Sequence, residues 1–160
     1  MSNKPIKILF VCVKKGVRAS IAKSIMNFQG NGKIQAAAAS FEKGSIPQLL
    51  EQDITRLVEM STDEVCKTIF EWQQAGTRFD YVITLCDESE EQCAIFKKTV
   101  HSVYSHTSSF RYWSIPNLAK AMDFQGDDRA EFVTKVIGKI AVEVDSLIEV
   151  ENFRIWDGER

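Results

Sequence analysis

The sequence predicts a three-layer α/β domain built on a parallel sheet of about four strands, and three observations carry that expectation. Short apolar runs rich in β-formers, at residues 6–12 and 80–86, read as buried strands. Between and after them, apolar residues recur at helical spacing. No repeat and no Pro/Gly/Ser-rich tract divides the 160 residues, so a single domain spanning 1–160 is expected at roughly 150 residues per domain. Strands alternating with helices imply right-handed βαβ units, with helices on both faces of the sheet.

The elements follow in order. The first strand ends at Cys12, and its turn lies around Lys14-Lys15-Gly16. Ile21, Ala22, Ile25, Met26 and Phe28 then mark a helix that Gly30-Asn31-Gly32 stops. Residues 34–39 form a weak, alanine-rich second strand. Leu49, Leu50, Ile54, Leu57 and Val58 make one apolar stripe. Ser61 and Glu64 have the spacing of a capping box and open a further helix that runs to about Ala75. Strand 80–86 is followed by a short polar helix at 88–97 and a last strand at 112–115. Phe132, Val133, Val136, Ile137, Ile140, Val144 and Leu147 trace a long amphipathic helix over 127–149. The acidic stretch 149–160 reads as a weakly packed terminus.

Composition excludes several classes. Lys and Arg number 20 against 22 Asp and Glu, a net charge of −2, with 44% hydrophobic and 26% charged residues. Neither disorder nor a dedicated nucleic-acid surface fits those values. The longest apolar run, 8–13, is far short of the ~20 residues of a membrane helix, and no secretory pattern opens the chain. Four cysteines are too few for a disulfide scaffold and read as free or redox-active thiols, so the cytoplasm is the expected compartment. No cofactor is called for. His101 and His106 fall in a Ser/Thr/Tyr-rich loop, with no Cys or Asp at metal-ligand spacing, so no metal site is expected.

In such folds ligands bind beyond the carboxyl ends of the strands. Cys12 and Cys86 each close a strand. Between Cys12 and Arg18 the turn can curl so that backbone N–H groups of Val13, Lys14, Lys15, Gly16 and Val17 face one anion. The N-terminal end of the following helix and the planar fork of Arg18 add to that field and would lower the Cys12 pKa. An inert buried cysteine remains the alternative for Cys12. Cys66 lies inside the helix expected from Ser61 and reads as a small buried thiol. Trp113 reads as core, Tyr104 and Tyr112 as core or pocket mouth, and Lys97-Lys98 as a solvated face.

The Cys-x5-Arg stretch from Cys12 to Arg18 resembles the phosphate-binding loop of low-molecular-weight tyrosine phosphatases and of the related thioredoxin-coupled arsenate reductases. FDYVITLCDESEEQC (79–93) is similar to the reductase branch, in which a second and a third cysteine stand seven residues apart. WSIPNLAKA (113–121) resembles the family's Trp-x-x-x-Asp-Pro-Ala segment, and STDEV (61–65) fits its pattern as well. The resemblance implies a relay: Cys12 attacks arsenate, Cys86 attacks Cys12, and Cys93 then forms a Cys86–Cys93 disulfide that thioredoxin reduces. On an unbroken helix residues 86 and 93 would be about 10.5 Å apart, whereas bridged Cα atoms lie within about 7 Å. The acidic segment 87–92 must therefore loop or unwind.

The chain also departs from the family pattern. Lys14 and Lys15 stand where the family has Gly and Asn, and Ala19 replaces a Ser or Thr that donates to the thiolate. The lost donor costs about 1.5–3 kcal/mol of thiolate stabilisation, with Ser20 close enough in sequence to compensate. Asn117 occupies the position of the general-acid Asp; as an amide it cannot donate a proton, and it reads equally well as a turn cap. Asp123, Asp127 and Asp128 are near, but no spacing selects one. Three functions stay open: a reductase using Cys12, Cys86 and Cys93 with thioredoxin as partner; a phosphatase using Cys12 and Arg18; and a non-catalytic binder of an oxyanion or a partner protein.

Overall fold

A computed structural model describes residues 4–61, 65–87, 92–104 and 109–150, with Lys14 as backbone only. The elements are β1 (Ile6–Lys14), α1 (Val17–Gly30), β2 (Ile34–Glu42), α2 (Gln48–Thr55), α3 (Ile69–Gln74), β3 (Tyr81–Cys86), α4 (Cys93–Val103), β4 (Ser109–Ser114), a 3-10 helix (Leu118–Asp123) and α5 (Gly126–Val150). The strands form one four-stranded parallel sheet in the order β2-β1-β3-β4, with core on both faces. The expected α/β class and parallel sheet are therefore present. Among the described residues no helix is long and apolar enough to cross a membrane.

β1 is apolar on both faces because it is buried on both. Ile8, Phe10 and Cys12 pack with Ile21 and Met26 of α1 and Val133 and Ile140 of α5. Leu9, Val11 and Val13 point the other way, toward Ile69, Phe96 and Val100. The period of two thus assigns alternate residues of one continuous run to two cores. Phe10 meets Trp113 at 5.3 Å between ring centroids, which puts Trp113 in the core as expected. Asp53, buried on α2, is held by Arg129 of α5 at 3.2 Å and ties those helices together.

β2 persists despite its alanines because its outer edge is occupied. The Asn27 amide accepts from Ala36 N at 2.7 Å and donates to Ala36 O at 3.1 Å. Two residues on, Trp72 Nε1 donates to Ala38 O at 3.0 Å. Two further, Ser40 N donates to Lys67 O at 3.0 Å, and Ser40 bridges to Thr68 in parallel. Outward-facing backbone groups of Ala36, Ala38 and Ser40 on an otherwise open edge are thus engaged.

Several boundaries differ from expectation. β1 continues two residues beyond Cys12, through Lys14 paired with Glu42. The apolar stripe of α1 stops before Phe28, which is 81% exposed; Leu49 and Leu57 are exposed as well. The helix expected from Ser61 is only α3, opened by a different capping box: Glu71 N donates to Thr68 Oγ1 at 3.1 Å and Thr68 N to Glu71 Oε1 at 2.9 Å. Glu64 lies outside the described residues. Cys66 is consequently not helical but sits in the segment drawn along β2. α4 starts at Cys93 rather than 88 and runs past 97 to include His101, whose ring stacks on Phe110 at 3.8 Å, so His101 is not in a loop. His106 and residues 88–91 and 151–160 lie outside the described residues, while Glu149 belongs to α5.

Asn27→Ala would leave the N–H and C=O of Ala36 without their side-chain partner. It is expected to lower stability by about 1–3 kcal/mol in urea denaturation, with the denaturant slope unchanged. An unchanged midpoint would mean that water satisfies that edge equally well.

Candidate thiol and oxyanion site

The chain leaves β1 for β2 on one side and later takes up β3 on the other, so the carboxyl ends of β1 and β3 flank the point where the strand order reverses. Cys12 lies at one of these ends and Cys86 at the other. Cys12 pairs with Leu85, which makes Cys86 one residue out of register. Side chains alternate along a strand, so Cys12 and Leu85 share the face of α1 and α5, while Cys86 points to the opposite face among Cys93, Phe96 and Val100. Both cysteines are fully buried.

Val13 and Lys14 lie on β1, and the turn is confined to Lys15 and Gly16, with φ of 58° and 71°. A lysine in the left-handed region carries a steric cost that glycine does not. Gly16 is required here for a second reason. A Cβ at this position would lie 2.6 Å from Cys66 Cβ, and nearer still to its sulfur. α1 begins at Val17, with Ser20 N donating to Gly16 O at 2.8 Å. Arg18, in its first turn, is 3% exposed and donates through Nη1 to Ile115 O at 2.8 Å. Its guanidinium is therefore anchored just past the end of β4, on the same edge of the sheet as Cys12.

Cys66 was the least expected member of this group. It is buried against the turn, and its Sγ donates to Lys67 O at 3.6 Å. Burial, with Cys12 nearby, pushes its pKa up to about 11, against the opposing pull of the Ser40 and Ser20 hydroxyls and the Lys23 charge. Ser20, the candidate substitute for the hydroxyl missing at Ala19, is thus engaged with Cys66. Sequence offered no signal for this placement, because it depends on the long-range pairing of Ser40 with Lys67 and Thr68.

On the other face Cys86, the last residue of β3, is joined by a disulfide to Cys93, the first residue of α4, with Cα atoms 6.0 Å apart. That separation is shorter than the ~10.5 Å of an unbroken helix over seven residues. Tyr112 closes this corner. Its hydroxyl donates to Cys86 O at 3.0 Å and lies 3.9 Å from Cys93 Sγ, and Lys97 Nζ sits 4.0 Å from its ring centroid. Lys97 is thus a packed residue rather than part of a solvated face. Lys120 of the 3-10 helix reaches Asp87 at 3.6 Å. Tyr104 belongs to the core: its hydroxyl donates to Ile69 O at 3.3 Å, and burial pushes its pKa up to about 12. Asn117 caps the 3-10 helix, its Oδ1 accepting from Ala119 N at 2.9 Å. Asp123, Asp127 and Asp128 are exposed.

The family model described as low molecular weight phosphotyrosine protein phosphatase matches residues 7–149. The chain belongs to that family. Among solved structures, an arsenate reductase in its oxidized state superposes with a TM-score of 0.66 at 19% identity, covering 89% of this chain and 96% of that one. A low molecular weight protein tyrosine phosphatase from T. tengcongensis gives 0.57 at 16% identity, covering 90% and 98%. The thioredoxin-dependent arsenate reductase of Corynebacterium glutamicum gives 0.55 at 20%, covering 92% of this chain and 62% of that one. At these identities the likeness is one of fold, and both branches of the phosphatase family share it. No curated protein sequence matches the chain.

The raised Cys66 pKa predicts slow alkylation. At pH 8 its thiolate fraction falls about 100-fold below that of an ordinary thiol, and reactivity climbs only as pH rises from 9 toward 11. Iodoacetamide labelling followed by peptide mass spectrometry reads this directly. A rate at pH 8 equal to that of the urea-unfolded chain would contradict the buried placement.

Proposed function

We propose that the chain is an arsenate-reductase-like thiol enzyme in which Cys12 attacks a bound oxyanion and Cys86 and Cys93 relay the resulting disulfide to thioredoxin. The Cys86–Cys93 disulfide, held at the end of the strand that pairs with β1, carries this reading. A phosphatase using Cys12 and Arg18 has no use for such a pair. Arg18 and the backbone N–H groups of residues 13–17 hold the oxyanion. The Cys12 thiolate displaces one arsenate oxygen, which leaves as water after protonation. The Cys86 thiolate then attacks the Cys12 sulfur. The As–S bonding pair stays with arsenic, which departs as arsenite reduced by two electrons, leaving a Cys12–Cys86 disulfide. Cys93 attacks Cys86, Cys12 leaves as a thiolate, and a thioredoxin dithiol reduces the Cys86–Cys93 disulfide.

Because Cys86 faces away from Cys12, the second step requires the end of β3 to peel back. Cys86 has to leave its pairing with Ser114 of β4, and the Tyr112 hydroxyl on Cys86 O and the Lys120–Asp87 ion pair are among the contacts to be released. Exposed ion pairs of that kind are weak, about 0–1 kcal/mol. Asn117, engaged as a helix cap, supplies no proton to a phosphate-ester leaving group, and general acids of that kind are worth about 10²–10⁴-fold. This weighs against the phosphatase reading. The cytoplasm, where thioredoxin keeps thiols reduced, is the compartment such a relay needs.

The test is arsenate-dependent NADPH consumption with thioredoxin and thioredoxin reductase. Turnover by the wild type, lost by at least 100-fold in Cys86→Ser, is the expected result. Turnover that survives Cys86→Ser, or none from the fully reduced wild type, would reject the relay; the latter would favour a non-catalytic oxyanion binder.

A further inference from the structure

At the corner that holds the Cys86–Cys93 disulfide, the Tyr112 hydroxyl has two acceptors in reach. Tyr112 pairs with Thr84 and Ser114 with Cys86, so the period of two sets the tyrosine on the face of Cys86, Cys93 and Phe96. A phenol has a single proton to donate. That proton goes to Cys86 O at 3.0 Å, while Cys93 Sγ stands 3.9 Å from the same hydroxyl. A disulfide sulfur is uncharged and a weak acceptor, so in the oxidised protein the carbonyl holds the hydroxyl. A reduced Cys93 is a different acceptor. It is 3% exposed, and burial disfavours a thiolate unless a donor faces it. Lys97, one turn along α4 from Cys93, lies with Nζ 4.0 Å from the Tyr112 ring centroid and braces the ring from the helix side.

We propose, resting on the relay described above, that Tyr112 is a positioning residue whose hydroxyl passes from Cys86 O to the Cys93 thiolate when the end of β3 leaves its place. Once Cys86 is bound to Cys12, its carbonyl no longer occupies the hydroxyl, and the Cys93 sulfur on α4 is the acceptor left within reach. A hydrogen bond to an ionised acceptor is roughly twice as strong as one to a neutral group, so the transfer favours the attacking form of Cys93. Cys93 then attacks the Cys86 sulfur, the Cys12–Cys86 bond breaks, and its electron pair leaves on Cys12. Cys93 is now uncharged, and the hydroxyl returns to Cys86 O, which fastens the new disulfide in the position observed.

The test reads Cys93 directly and needs neither arsenate nor thioredoxin. Iodoacetamide labelling of Cys93 in the fully reduced protein is followed against pH by peptide mass spectrometry. Tyr112→Phe is expected to raise the midpoint of that profile by about one pH unit, a roughly tenfold loss of thiolate at pH values below it. Tyr104→Phe removes a hydroxyl of the same core that is bound to Ile69 O, and should leave the midpoint in place. The charged neighbours are common to all three proteins: Lys97 on α4, Asp87 held by Lys120 of the 3-10 helix, and Glu88, Glu90 and Glu91, which lie outside the described residues. A midpoint unmoved by Tyr112→Phe, or moved equally by Tyr104→Phe, would overturn the assignment. Should Tyr112→Phe fail to fold, the reduced wild type supplies a second readout. A change in the near-ultraviolet tyrosine band should follow the Cys93 profile and vanish in Cys93→Ser, and its absence from the wild type would overturn the assignment as well. Arsenate turnover with an unmoved midpoint would reject Tyr112 and keep the relay. A shifted midpoint without arsenate turnover would reject the relay and leave the contact between Tyr112 and Cys93 established.

Discussion

The central place of β1 in the sheet is the constraint on which the rest depends. Hydrogen-bonded to β2 on one side and β3 on the other, it cannot slip by one residue without turning Ile8, Phe10 and Cys12 out of one core and into the other. The same pairing positions the cysteines. It brings the ends of two thiol-bearing strands together at the reversal of strand order, yet assigns their thiols to opposite faces. Cys12 shares its face with α1, whose first turn carries Arg18. Cys86 shares the other with α4, whose first residue is Cys93. A relay between them would require the end of β3 to leave its pairing with β4.

The outer edge of β2 is the second organising feature. Engaging that edge draws the segment ahead of α3 alongside the sheet, and this carries Cys66 to the back of the Lys15–Gly16 turn. The turn is therefore clamped by a buried thiol on one side, while Arg18 is anchored across the sheet end on Ile115 O. It also leaves a cavity between α1 and the segment, with Lys15, Lys23 and Lys67 among its described lining residues.

What was legible in the sequence follows from where each stabilising interaction lies. β1 and β3 are buried on both faces and so read as continuous β-rich runs; α5 announces itself by period. β2 was weak in sequence because its partners, Asn27, Trp72 and Lys67, are distant or polar. Two capping-box patterns, Ser61 with Glu64 and Thr68 with Glu71, compete over one stretch. The chain opens its helix at the second because residues 67 and 68 are already committed to β2. At the candidate site, Cys12, Arg18, Cys86 and Cys93 are singled out by spacing and resemblance alone. The face each thiol occupies, the lock that Tyr112 places on Cys86, and the position of Cys66 are not, since all three are set by register between strands.

The most direct measurement of the account is the disulfide connectivity of a Cys93→Ser protein, reduced, exposed to arsenate and mapped by peptide mass spectrometry. With the last relay thiol removed, a Cys12–Cys86 disulfide should accumulate to near one per chain, dependent on arsenate and absent in Cys12→Ser/Cys93→Ser. A Cys12–Cys66 linkage, or no arsenate-dependent disulfide at all, would contradict the placement of Cys86 as the thiol that receives the chemistry from Cys12.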